Sequence, residues 1–164
     1  MRNNLISWLN DAHAMEEGLI PILEAHAEEL EHVLPDAAAR LREHSVETRE
    51  HVKRLEECLA LLESEPSTLK SGASYVVGAA ERFVTAMFSD AAVKNVLMDF
   101  ASEQFEVGAY TALVAAAEEM GEMDVARLCE ENRREDQLMA AWLERQIPNA
   151  VELVTSRTTS ARTR

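Results

Sequence analysis

Apolar residues recur at three- and four-residue intervals along four long stretches of the chain, the spacing that lines one face of an α-helix. In the first stretch they are Leu5, Leu9, Ala12, Leu19, Leu23, Leu30 and Val33. Turn-forming clusters separate the stretches: Leu34-Pro35-Asp36, Ser64-Glu65-Pro66-Ser67, Ser89-Asp90, Gly121 and Pro148. The pattern predicts helices from about Leu5 to Val33, Asp36 to Glu63, Ala91 to Met120 and Met123 to Gln146. Pro35 suits the first turn of the second helix, and Gly121 the C-terminal cap of the third.

The connections predict how these helices are arranged. The first and second are joined tightly, as are the third and fourth, whereas a long segment separates the second from the third, enough chain to travel the length of a bundle. That segment, from about Thr68 to Phe88, carries Tyr75, Val76, Val77, Phe83 and Val84, and reads as a shorter crossover helix with Ser67 as its N-cap. The expected fold is all-α: an up-down four-helix bundle of two antiparallel hairpins joined by a crossover containing a short fifth helix. Residues 1–154 form the bundle domain. The Ser/Thr/Arg-rich residues 155–164 show no apolar periodicity and are expected to be a disordered tail.

Each apolar stripe is interrupted by polar residues near its middle. In the first helix the missing step between Ala12 and Leu19 is Glu16. In the second the stripe runs Leu41, His44, Thr48, His51, Leu55, Cys58, Leu62, with Glu47 beside it. The third reads Val93, Val96, Phe100, Glu103, Val107, Tyr110, Val114, Ala117, with Glu106 one turn from Glu103 across the face. The fourth reads Val125, Leu128, Asn132, Glu135, Met139, Trp142. Residues equally far from a hairpin turn share a depth, because both helices rise about 1.5 Å per residue. Counting out from the first turn sets Glu16 opposite a position near His51, and counting from Gly121 sets Glu106 opposite a position near Glu135.

A single glutamate beside an apolar stripe is usually a solvated flanking residue. Four at one depth call for protonation, pairing with bases, or a metal, because a buried unpaired carboxylate costs several kcal/mol. Hard oxygen ligands with a few imidazoles suit iron or manganese. His44 and His51 read equally as ligands and as core histidines satisfied by a neighbouring glutamate. His13 reads as a residue outside the ligand set or exposed, and His26 and His32 as too near the loop to reach the layer. Met15, Met120, Met123 and Met139 read as core packing. Glu17, Glu50 and Glu130 read as solvated, with Glu131 a reserve ligand.

Composition narrows the partners. Thirty acidic against 16 basic residues leave a net charge of −14, which repels nucleic-acid phosphates. No apolar run approaches a membrane span and no signal-peptide core follows Met1-Arg2-Asn3-Asn4, so a cytoplasmic protein is expected. Cys58 and Cys129 lie far apart in sequence without metal-binding spacing and read as buried, reduced core residues.

The ordered pieces Asp11-Ala12-His13-Ala14-Met15-Glu16, His44-Ser45-Val46-Glu47-Thr48-Arg49-Glu50-His51, Ser67-Thr68-Leu69-Lys70, Glu103-Gln104-Phe105-Glu106-Val107-Gly108-Ala109-Tyr110, Glu130 to Glu135 and Met139-Ala140-Ala141-Trp142-Leu143 resemble the YciE/YciF-type family of bacterial ferritin-like proteins. The resemblance covers about residues 4 to 150. It implies a ferritin-like bundle with a dinuclear metal site and a link to bacterial stress responses. By position it makes Glu16, Glu47, Glu106 and Glu135 ligands, with Glu103 and His51 next. The broader ferritin-like pattern carries Glu-x-x-His on its second and fourth helices, whereas here the fourth has no histidine.

Two functions follow as expectations. In one, a di-iron or di-manganese carboxylate protein reacts with dioxygen or peroxide, with Tyr110 as a neighbouring donor or packing residue. In the other, the Glu/His layer is a structural network in a non-catalytic interaction protein that binds metal weakly or not at all. Haem or flavin is set aside for want of a phosphate loop and an axial histidine pair. Self-association, a dimer in the simplest case, is expected from the long helices.

Overall fold

The computed structural model describes residues 1–67 and 90–162, with side chains as far as Ser156. Four helices make up the described residues: α1 (Arg2–Leu30), α2 (Pro35–Leu61), α3 (Ala91–Glu119) and α4 (Met123–Arg162). The crossover helix expected over about Thr68 to Phe88 falls outside the described residues.

Local chemistry sets most of the helix ends. Pro35 occupies the start of α2, where its missing N–H is no loss. Asp90 caps α3 by accepting a hydrogen bond from the Ala92 N–H at 2.9 Å. At the end of α3, Gly121 adopts φ 76°, and the Gly121 and Glu122 N–H groups donate to Glu118 and Ala117 carbonyls. This is the Schellman arrangement that the sequence position of Gly121 predicts. The end of α2 repeats it with Glu63 at φ 54°, where Glu63 and Ser64 donate to Ala60 and Leu59.

The fourth helix is longer than the sequence pattern predicts. It passes Gln146 and carries Pro148 inside it. The reason is packing: Ala150 is fully buried, and Ile147, Leu153 and Val154 lie against the same apolar cluster as Leu30 and Ala38. Residues 155–162, which the sequence predicts to be part of a disordered tail, continue as helix in this structure. Helix α1 likewise carries Pro21 in its interior.

Helix α1 packs on α2 and α3, and α4 packs on α3 and α2, so α1 and α4 lie on one diagonal and α2 and α3 on the other. The start of α1, the end of α2, the end of α3 and the start of α4 share one apolar cluster, built on Leu5, Leu9, Leu55, Leu59, Leu113 and Val125. A second cluster at the opposite end joins Leu23, Leu30, Leu41, Val96, Met139 and Leu143. Neighbouring helices are therefore all antiparallel. The long connection leaves one end of the bundle at Ser67, whose N–H donates to Asn10 Oδ1 at 2.6 Å, and returns at the other end at Asp90. Between the two apolar clusters lies a polar layer.

Candidate metal centre

Every helix sends at least one polar residue into that layer. Glu16 comes from α1, His44, Thr48 and His51 from α2, Asp99, Glu103, Glu106 and Tyr110 from α3, and Asn132 and Asp136 from α4. All are buried. The depth count from the first turn holds, because His51 Nδ1 lies 3.4 Å from Glu16 Oε1. Two groups of possible ligand atoms form: Glu16, His51 and Asp136 in one, and His44, Glu103 and Asp136 in the other, each with its atoms within 4.8 Å of one another. Asp136 belongs to both.

The two histidines are held in the same way. His51 Nε2 meets Glu135 Oε2 at 2.8 Å, and Glu135 is gripped by Arg54 at 2.7 and 3.1 Å. His44 Nδ1 meets Glu47 Oε2 at 2.7 Å, and Glu47 is gripped by Arg40 at 3.0 and 3.1 Å. Each imidazole thus spends one nitrogen on a rim carboxylate and turns the other toward the centre. His51 Nδ1 faces Glu16 and Asp136, both at 3.4 Å, and His44 Nε2 faces Glu103 at 2.9 Å. Carboxylates that orient a histidine in this way fix its tautomer and raise its basicity.

The electrostatics divide the site into rim and interior. The hydrogen bond from His44 first, against some burial, and then the Arg40 guanidinium hold Glu47 down to about 2. His51, against partial burial, and then Arg54 hold Glu135 down to about 2. Burial alone would lower His44, but the Glu103 charge and the bond to Glu47 raise it to about 9. Burial likewise opposes His51, and Glu135, Glu16 and Asp136 together raise it to about 10. Burial pushes the interior acids Glu103, Glu106 and Asp136 up from the ordinary carboxylate range; His44 opposes the rise at Glu103, and the Glu16 charge adds to it at all three.

The interior acids are not satisfied by protein. Glu16 Oε2, Glu103 Oε2, Glu106 Oε1 and both Asp136 oxygens have no hydrogen-bond partner among the described residues. Native proteins leave few buried polar atoms unpaired, and a cluster of orphaned carboxylate oxygens around two imidazole nitrogens is a donor set that could hold a divalent cation. Tyr110 stands beside it. Its hydroxyl donates to Glu16 Oε1 and accepts from Asn132 Nδ2 at 2.9 Å, so it anchors one carboxylate of the layer.

Residues 1–155 match the family described as Domain of unknown function (DUF892). The chain belongs to this family. A solved protein from Xanthomonas campestris is 30% identical over 96% of this chain and 98% of its own, with a TM-score of 0.81. The E. coli stress protein YciF aligns with a TM-score of 0.80 at 18% identity, over 92% of this chain and 96% of its own. The Desulfovibrio desulfuricans bacterioferritin, described with a diiron site, aligns with a TM-score of 0.74 at 22% identity, over 97% of this chain and 86% of its own. The resemblance to YciE/YciF-type ferritin-like proteins and the all-α bundle read from the sequence both stand.

Against the ferritin-like pattern, this member of the family shows where its helices depart. Glu-x-x-His becomes Thr48-x-x-His51 on α2 and Asp136-x-x-Met139 on α4, both pairs buried. Of the residues singled out from the sequence, the structure brings Glu16, His51, Glu103 and Glu106 into the layer and sets Glu47 and Glu135 at its rim. The stripe Asn132, Glu135, Met139 passes over Asp136. Its signal was present, since Asn132, Asp136, Met139 and Asn132, Glu135, Met139 are equally good helical stripes.

The remaining polar residues also find places. His13 is buried between Glu17 and Glu56, 3.5 Å from each. His26, which its sequence position sets too near the loop to reach the layer, meets Asp99 on α3 at 2.6 Å. Cys58 and Cys129 are free and buried as expected, and although distant in sequence they meet in the lower apolar cluster. The hydrogen bond to Cys129, followed by burial, pushes the Cys58 thiol far up, which keeps it protonated.

Proposed function

We propose that this protein is a ferritin-like carboxylate protein that binds a pair of iron or manganese ions in the buried layer and reacts with dioxygen or peroxide in a bacterial stress response. The observation that carries the reading is Asp136: both of its oxygens are buried without a hydrogen-bond partner among the described residues, and it belongs to both ligand groups. The likeness to the stress protein YciF supports the physiological part. Cytoplasmic location and self-association as a dimer belong to the same reading; among the described residues no helix is long and apolar enough to cross a membrane.

In this reading Glu16, His51 and Asp136 hold one position, and His44, Glu103 and Asp136 the other. Glu106 adds the negative charge that two divalent ions require. Glu47 and Glu135 orient the imidazoles from behind. Bound iron or manganese would supply redox chemistry toward an oxidant. In the metal-free protein His44 and His51 carry protons at neutral pH, so metal uptake releases protons to solvent. Tyr110 keeps Glu16 aimed at the layer, and the apolar clusters above and below keep water out.

Elemental analysis of protein reconstituted with iron or manganese tests this. The expected content is about two ions per chain, as in carboxylate bundles of this kind. Asp136→Asn should abolish loading, whereas Glu135→Gln should keep the stoichiometry and weaken affinity by about 10- to 100-fold, as loss of a group that orients a ligand does. Substoichiometric metal that Asp136→Asn leaves unchanged would make the layer a structural network.

A further inference from the structure

Below the polar layer, α2 and α4 bring the two cysteines of the chain together. His51 Nδ1 on α2 lies 3.4 Å from Asp136 Oδ1 on α4. Cys58 follows His51 by seven residues and Cys129 precedes Asp136 by seven. On antiparallel helices both therefore stand two turns, about 10.5 Å, from that contact, toward the same end and on the same faces. The thiols meet accordingly. Both are fully buried in the cluster of Leu55, Leu59 and Val125. Cys58 Sγ donates to the Val125 carbonyl at 3.9 Å, one turn from Cys129, and the two thiols are hydrogen-bonded to each other.

Two thiols in contact, in a chain with no third cysteine, have an intramolecular disulfide as their nearest oxidised state. Their surroundings select the oxidant. Apolar packing and the neighbouring sulfur keep the thiols protonated, which slows their attack and leaves the pair reduced at rest. A charged oxidant would lose its hydration without finding a partner in this cluster. Hydrogen peroxide is small and uncharged, and its approach is polar almost to the sulfurs. The partly exposed Arg54 stands one turn from Cys58, Asn132 stands one turn from Cys129, and the guanidinium donates to Asn132 Oδ1 at 2.8 Å. Once one sulfur is oxidised, the other is already beside it and intercepts it before a second peroxide arrives.

We propose that Cys58 and Cys129 are a redox modification site: hydrogen peroxide closes them into a disulfide that ties α2 to α4 and so locks the two hairpins together. In the first step the O–O bond breaks, one sulfur takes OH to become a sulfenic acid, and water leaves. In the second the other thiol attacks that sulfur, the S–S bond forms and a second water leaves. Two thiols and one peroxide thus give one disulfide and two waters, and a dithiol reductant reopens the bridge. The oxidant is one that the proposed function also invokes, but closure requires no metal.

The test holds full-length metal-free protein in chelator with excess hydrogen peroxide, removes the peroxide with catalase, unfolds the protein in iodoacetamide and maps the unreduced digest by mass spectrometry. The expected product is one peptide pair joined through Cys58 and Cys129 and reopened by dithiothreitol, from protein that runs as a single chain on a non-reducing gel. The oxidised protein should melt about 10 °C above its reduced form, because a bridge closing so long a loop constrains the unfolded chain. Cys129→Ser given the same peroxide should show no rise. Two alkylated thiols after peroxide, sulfinic or sulfonic acid at either position, disulfides between chains, or a joined pair that melts no higher would each overturn the proposal. Metal loading is read on separate samples, so failure of the bridge in chelator and failure of the metal site are told apart.

Discussion

Glu106 shows how a single buried carboxyl sets stability against function. It is buried among Glu103, Glu16 and Asp99, and burial together with those charges pushes it well up from the carboxylate range. Its pKa is therefore higher folded than unfolded. Such a group contributes no penalty below its unfolded pKa, and stability is lost as pH rises from there toward the folded value. Replacing it with the neutral isostere removes that loss. Glu106→Gln should accordingly raise the melting temperature of the metal-free protein at pH 8 and converge on the wild type near pH 4.5, as calorimetry in chelator would show. A variant that melts lower than wild type at pH 8 would mean that Glu106 has a partner in the metal-free state. The same substitution should impair metal loading, the usual trade between a strained site and a stable one.

At the scale of the helices, the two hairpin halves end alike but with different residues. Both α2 and α3 close in a Schellman arrangement with a left-handed residue, Glu63 in one and Gly121 in the other. A side chain costs about 1 kcal/mol or more in that conformation, and glycine does not. Glu63→Gly should raise stability and Gly121→Ala should lower it, each by about 1 kcal/mol in chemical denaturation. Beyond its chain neighbours, no described residue lies within 4 Å of where a Cβ on Gly121 would stand, so the loss there would come from the backbone alone. Opposite signs at two equivalent caps make the pair a sharper measurement than either alone. The ends of α2 and α3 were legible in the sequence because local residues make them. The end of α4 was not, since Pro148 reads locally as a stop and only the burial of Ala150 carries the helix past it.

The molecule as a whole joins two apolar clusters through a layer of buried acids and two histidines, and in the proposed function metal ties that layer together. A ligand that binds only the folded state at 100 times its Kd stabilises by about 2.7 kcal/mol, which for a chain of this size is roughly 5–10 °C in Tm. Thermal melts with iron or manganese should therefore lie above those in chelator by at least that margin. Coincident curves would count against a metal that ties four helices together. Asp136→Asn should erase the difference, and substitutions at Glu130, which pairs with Arg133 and Arg134, should leave it.

Period and punctuation in the sequence determined the helices, their pairing into hairpins, and the polar layer at mid-height. Those features depend on spacing along one helix and on residues adjacent to each turn, so they are present in the chain before it folds. The depth of Glu16 against His51 belongs with them, since helical rise converts residue number into height. Which acids face inward was decided only by tertiary structure. On α3 the steps Glu103, Val107, Tyr110 and Glu103, Glu106, Tyr110 satisfy the same three-and-four spacing, and on α4 Glu135 and Asp136 are equally spaced from Asn132 and Met139. A helix rotates by about 100° per residue, and a one-residue ambiguity is resolved only by the face its neighbours cover. Packing buried Glu106 and Asp136 and sent Glu135 to the rim to meet Arg54 and His51. The meetings of His26 with Asp99 and of Cys58 with Cys129 are of the same kind: contacts between helices, which no pattern within one helix contains.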